Sequence, residues 1–120
     1  MMSQRIRRLQ EEIKKEASYI IHHRVKDPRL GFVSITGVEL SRDLAYCRIY
    51  ISVLGDETAQ QQTMEGLDKA TGFIRSELAK KIRFRTVPQL SFHYDSSLEY
   101  GSRINAILKE LNLDGGSGSE

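Results

Sequence analysis

The chain has 120 residues, 39% hydrophobic and 28% charged, with a formal net charge of +2. That composition fits one domain with enough chain to bury a core, and no apolar run reaches the roughly 20 residues a membrane span needs. Arg5, Arg7 and Arg8 are followed by Glu11, Glu12, Lys14 and Lys15 instead of the apolar stretch of a secretory signal, and the single cysteine, Cys47, excludes an internal disulfide, so a cytoplasmic protein is expected.

Residues 3–24 read as an amphipathic helix. Ile6, Leu9, Ile13, Ala17 and Ile20 make the apolar stripe, Ser3 is the expected N-cap, and Arg7/Glu11, Arg8/Glu12 and Glu11/Lys15 stand at i,i+4 on the charged face. Asp27-Pro28-Arg29-Leu30-Gly31 then ends the helix, because proline disfavours helical backbone in the residue before it. Residues 32–40 read as a strand in which Val33 and Ile35 share one face while Val38 and Leu40 fall in the other phase. Gly37 between them predicts a bulge. After the turn Ser41-Arg42-Asp43-Leu44, residues 45–54 alternate cleanly. Cys47, Ile49, Ile51 and Val53 point one way, and Tyr46, Arg48, Tyr50 and Ser52 point the other. The short link predicts an antiparallel hairpin.

A second helix follows, with Asp56 or Thr58 as its cap. Met64, Leu67, Ile74, Leu78 and Ile82 keep helical spacing over 64–85, but Ala70-Thr71-Gly72 interrupts a good helix former with two poor ones, and a kink is expected there. Thr86-Val87-Pro88 breaks the chain. Leu90, Phe92 and Tyr94 alternate with Ser91 and His93 as a third strand. Ser96 with Glu99 fits a capping box for a last helix, with Tyr100, Ile104, Ile107, Leu108 and Leu111 inward. The expected domains are residues 1–112 and a flexible Gly/Ser-rich tail at 113–120. The order helix–strand–strand–kinked helix–strand–helix predicts an α+β fold, a three-stranded sheet covered by helices on one face.

Charge is unevenly distributed. Residues 69–85 hold six basic side chains (Lys69, Arg75, Lys80, Lys81, Arg83, Arg85) against one acid, Glu77, whereas residues 86–120 are net acidic. A near-neutral protein can thus present one basic surface, which points to nucleic acid.

The chain resembles the ribosome-binding factor A family. The likeness is carried by Asp27-Pro28-Arg29-Leu30, by Val38 to Leu44 running into Ala45 to Gly55, by Ala70-Thr71-Gly72-Phe73-Ile74-Arg75, and by Arg85 to Asp95. It extends from about Gln4 to Leu111. The resemblance implies a type II KH-like fold. In KH domains a Gly-x-x-Gly loop clamps the nucleotide backbone; the family has an Ala-x-Gly kink in its place, here Ala70-Thr71-Gly72, so the basic surface around the bend carries over and the usual clamp does not. It further implies binding to the free 30S small subunit and its 16S ribosomal RNA but not to 50S or 70S particles. With that go support of late maturation and 5′-end processing and cold adaptation; a monomeric, non-catalytic protein with no cofactor is expected.

The expected RNA-binding residues are Arg75, Lys80, Lys81, Arg83 and Arg85, with Arg29, Arg7 and Arg8. Each has a plainer reading. Lys80 to Arg85 also suits a solvated helix end favoured by the dipole. Arg7 and Arg8 suit a salt-bridged face, and Arg29 suits a turn. Tyr46, Arg48 and Tyr50 could stack on bases or simply follow strand preference. His22 and His23 diverge by about 100° on a helix and do not suit a shared metal. His93 and Asp95 share a strand face and would be the acid–base pair of a small endoribonuclease or phosphohydrolase, the alternative to a binding factor; no nucleophile, phosphate loop or zinc pattern accompanies them. A sheet-edge protein-binding module without RNA is a third class.

Overall fold

The computed structural model describes residues 4–95. The elements are α1 (Gln4–His23), β1 (Phe32–Leu40), β2 (Tyr46–Leu54), α2 (Glu57–Lys81) and β3 (Gln89–Tyr94). Ser3, the capping box, the last helix and the tail lie outside the described residues.

The alternation in the two hairpin strands becomes burial. Val33 and Ile35 on β1 and Cys47, Ile49, Ile51 and Val53 on β2 are buried, with Tyr46 and Arg48 exposed on the opposite face. β1 and β2 pair antiparallel, and the register shifts between Ile35↔Ile51 and Gly37↔Tyr50. The extra residue is Thr36, next to the glycine that signalled the bulge. The insertion restores phase, so Leu40 joins Val33 and Ile35 in the core. Thr36 donates through Oγ1 to Asp95 Oδ2 at 2.6 Å, tying the bulge to the end of β3.

β3 pairs parallel to β2, giving the sheet order β1-β2-β3. A parallel neighbour requires a crossover, and α2 is that crossover. Its N-cap is Asp56, which accepts from Ala59 N at 2.9 Å. The helix ends four residues before the expected boundary at 85. Ile82 turns extended, keeps a hydrogen bond to Leu78 O, and stays 3% exposed. Its place in the core comes from the extended chain and not from a further helical turn. Arg83 and Arg85 therefore lie on the α2–β3 linker. Through Ala70-Thr71-Gly72 the backbone is helical without interruption, and Thr71 Oγ1 donates to Leu67 O at 2.9 Å.

Both helices lie on one face of the sheet. Ile13, Ala17, Ile20 and Ile21 of α1 and Leu67, Ile74 and Leu78 of α2 share a core with the inward strand residues. Burying a side chain of this size stabilises by about 1.5–3 kcal/mol. The Asp27–Gly31 loop is docked onto α2 by polar contacts. Buried Thr63 accepts from Gly31 N at 3.1 Å and donates to Arg29 O at 3.3 Å. Gly66 leaves the room Leu30 occupies, since a Cβ there would stand 3.0 Å from Leu30 Cδ2.

Candidate nucleic-acid interface

Three segments distant in sequence meet at one end of the sheet: the start of α1, the β1–β2 turn and the α2–β3 linker. Between them lies a cleft of about 420 Å³, with Arg5, Arg42, Arg83 and Arg85 around it and Leu44 and Phe84 among its apolar lining. A depression beside it shares Arg5 and Arg83 and adds Arg8 and Glu12.

Local chemistry fixes each wall. Gln10 Oε1 accepts from Leu40 N at 2.9 Å and holds α1 beside the end of β1. The turn is pinned by hydrogen bonds. Ser41 Oγ donates to Asp43 Oδ1 at 2.7 Å, Ala45 N donates to the same oxygen at 3.1 Å, and Leu44 N donates to Ser41 O at 2.9 Å. The Ser41 hydroxyl, and then the Ala45 amide, hold the Asp43 carboxyl below its ordinary value. Leu44 itself has φ 61°, in the left-handed region. The linker is held by Arg75, whose Nε donates to Pro88 O at 2.9 Å and whose terminal nitrogen donates to Val87 O at 2.7 Å.

The structure separates the expected RNA-binding residues into three groups. Arg83 and Arg85 line the cleft and Arg8 the depression beside it. Arg75 is engaged with backbone carbonyls. Lys80 lies 2.9 Å from Glu77, which also meets Arg24 at 3.4 Å. The Glu77 carboxyl is buried and held below its ordinary value by the Lys80 hydrogen bond first and by Arg24 next. Arg29 forms a fork on Asp27, with its Nε at 3.1 Å and its terminal nitrogen at 2.7 Å, and that contact lowers the Asp27 carboxyl to about 2. Arg7 and Lys81 are exposed and line neither hollow. Among the described residues none of Arg5, Arg7, Arg8, Arg42, Arg83 and Arg85 makes an ion pair, and the i,i+4 pairs expected on α1 are not closed.

Two cleft arginines are missing from the expected set, Arg5 at the start of α1 and, harder to foresee, Arg42. Arg42 sits alone in a turn, and only the hairpin and the α2 crossover bring it to the linker. The open sheet face is partly committed to itself. Arg48 meets Glu39 at 3.5 Å, Tyr50 donates to Glu39 at 3.3 Å, and the Tyr50 and His93 rings lie 5.5 Å apart. Tyr46 is 62% exposed there. His93 Nε2 is hydrogen-bonded to Ser91 Oγ at 2.8 Å and Asp95 to Thr36, so each member of the supposed acid–base pair has a hydroxyl partner. His22 donates to Val33 O at 2.6 Å while His23 lies against Tyr19, and the two imidazoles serve different neighbours. Cys47 is fully buried, which pushes its thiol up to about 12, away from the thiolate a nucleophile needs.

The described residues thus form an α+β domain with a cationic cleft at one end of its sheet. The family model for ribosome-binding factor A matches residues 5–108, and the chain belongs to that family. It is 50% identical over 113 residues to the ribosome-binding factor A of Natranaerobius thermophilus, which covers 94% of this chain and 86% of that protein. The fold is similar to the solution structure of a putative ribosome binding factor A from Thermotoga maritima, at TM-score 0.71 and 35% identity, covering 82% of this chain and 94% of that one. It is also similar to a homology model of the Thermus thermophilus ribosome binding factor A fitted into an electron cryo-microscopy map of its 30S complex. There the TM-score is 0.63 and the identity 25%, covering 74% of this chain and 93% of that one. These likenesses bear out the KH-like α+β fold class.

Proposed function

We propose that this protein is a non-catalytic assembly factor that binds the free 30S subunit through 16S ribosomal RNA. The observation that supports this most strongly is half-identity, over nearly the full chain, to a protein named for ribosome binding. The cleft arginines supply the chemistry: guanidinium forks suit phosphate oxygens and stay charged at any physiological pH. The mechanism is occupancy. The bound factor holds one local RNA fold during late maturation and 5′-end processing and leaves before 50S subunits join, a step whose importance grows in the cold. It acts as a cytoplasmic monomer and needs no cofactor. The Ala70-Thr71-Gly72 segment sets the course of the second half of α2 and so of the linker that follows it, and Arg7 and Lys81 add long-range attraction.

Sedimentation of cell lysate through a sucrose gradient tests this reading. The chain is expected with free 30S particles and absent from 50S and 70S fractions. Purified protein incubated with labelled 16S precursor is expected to leave it uncut. Turnover abolished by His93→Ala in a folded protein would instead establish the nuclease alternative.

A further inference from the structure

The cleft combines two chemistries that a plain phosphate-docking surface does not need together. Its rim is cationic, with Arg42 and Arg85 exposed, whereas Phe84 and Leu44 inside it are apolar and half-buried. The one acid of the cleft, Asp43, is held ionised by hydrogen bonds from Ser41 and Ala45, and its single negative charge leaves the four arginines in excess. The turn also stores strain at the apolar wall. Leu44 is the only described non-glycine residue with positive φ, a conformation that a bulky side chain adopts at a cost. Glycine or asparagine would take that backbone more readily, but neither would place an aliphatic side chain there.

We propose that the cleft binds one unstacked nucleotide of single-stranded RNA, its base against Phe84 and Leu44 and its flanking phosphates on Arg42 and Arg85. The idea rests on the RNA-binding reading above and adds the form of RNA recognised. Charge selects a polyanion, and the apolar wall selects a polyanion that can offer a ring face. A base in an A-form duplex shows only its edges, whereas loops and ends can splay bases out. The volume of about 420 Å³ falls at the lower end of the roughly 300–1,000 Å³ of small-ligand pockets, suited to one nucleotide.

The test uses the full chain and compares ligands before variants. In titrations followed by side-chain NMR, adenosine and uridine monophosphate are expected to shift the Phe84 ring and Leu44 methyl signals, whereas ribose 5-phosphate and inorganic phosphate shift only the arginine guanidinium signals. A short single-stranded oligoribonucleotide is expected to bind about tenfold tighter than its duplex, the size of one base stacked on an aromatic ring. Phe84→Leu, which keeps an apolar residue, should lose that preference. Arg42→Glu should weaken both forms. Leu44→Gly, which relieves the positive-φ strain while deleting the apolar wall, gives the same answer should Phe84→Leu not fold. Equal shifts from the nucleotides and ribose 5-phosphate, or equal affinity for single strand and duplex, would overturn the proposal. Co-sedimentation with 30S subunits separates the two failures. Wild-type protein that sediments with 30S yet discriminates no base loses only the nucleotide pocket, whereas protein that never sediments loses the assembly-factor reading as well.

Discussion

Arg75 and Arg85 belong to the same basic run of sequence, yet their guanidinium groups have opposite fates. Arg75 spends its donors on the carbonyls of Val87 and Pro88, fastening the linker to α2. Lys80 and Arg24 are likewise drawn to buried Glu77, and Arg29 to Asp27. Arg85 stands in the cleft with Arg5, Arg42 and Arg83, and among the described residues none of the four has an ion-pair partner. The difference shows that charge density along a sequence is a poor guide to charge offered to a ligand. A cation beside a buried acid or an unsatisfied carbonyl is consumed by the fold, whereas cations gathered from separate elements with no acceptor among them keep their charge for a partner.

Deleting one set of arginines of each kind puts this contrast under the greatest strain. Arg75→Ala removes two charge-assisted hydrogen bonds from carbonyls at the linker and is expected to cost about 2–3 kcal/mol of stability. Arg83→Ala with Arg85→Ala should change stability by no more than about 0.5 kcal/mol. That double variant should nevertheless reduce the log–log salt slope of single-strand binding by about 0.7 for each phosphate it no longer neutralises. Urea unfolding and RNA titration at several salt concentrations read the two effects. The reverse pattern, a stable Arg75→Ala with weakened binding, would return the binding role to α2.

How much of this is legible before folding follows from the same physics. The strands are visible because period-2 alternation survives unchanged in a sheet buried on one face, and Val38 and Leu40 out of phase with Val33 and Ile35 demand a bulge near Gly37. The end of α2 is not visible in that way. Leu78 and Ile82 keep helical spacing, and spacing cannot tell that the second is buried by an extended chain. Thr63 and Gly66 carry no visible signal either, since their importance lies in docking a loop more than thirty residues away. Half of the candidate site is readable as a basic stretch. The other half, Arg5 and Arg42, depends on the hairpin and crossover bringing three ends together. The internal pairing of Arg75 is hidden for the same reason.

Acid distinguishes the two kinds of cation further, because Arg29, Lys80 and Arg24 are anchored by carboxylates that titrate and the cleft arginines are not. The ordinary value of Asp27 is 3.8 and the folded value is about 2, lowered chiefly by the Arg29 side-chain hydrogen bond. A depressed carboxylate contributes its full stability above the unfolded value and loses it as pH falls through the folded one. Stability should therefore decline between pH 3.8 and about 2 as the Asp27–Arg29 fork opens. Glu77 and Asp43, also held low, add to the same acid limb. Denaturant midpoints measured across this window should fall less steeply for Asp27→Asn than for the parent chain. Parallel curves would mean that the fork contributes nothing.

The smallest expected effect falls on α2 itself, at the Ala-x-Gly element. A Cβ at Gly72 would meet nothing within 4 Å, so alanine is accommodated without moving a neighbour. Gly72→Ala should stabilise the helix by up to about 1 kcal/mol through propensity alone. Thr71→Ala removes the hydroxyl that back-bonds to Leu67 O, a contact that tends to bend helices and slightly destabilise them, and should add a few tenths of a kcal/mol. Thermal melting and circular dichroism measure that gain, and 30S co-sedimentation measures its consequence. A more stable double variant that still co-sediments would assign the segment to packing and leave the RNA contact to the arginine cleft. A more stable variant that no longer binds would mean that a bend at residues 70–72 positions Arg7, Lys81 or the linker against the RNA. The two basic regions would then act as one surface, with α2 setting its shape and the cleft supplying its charge.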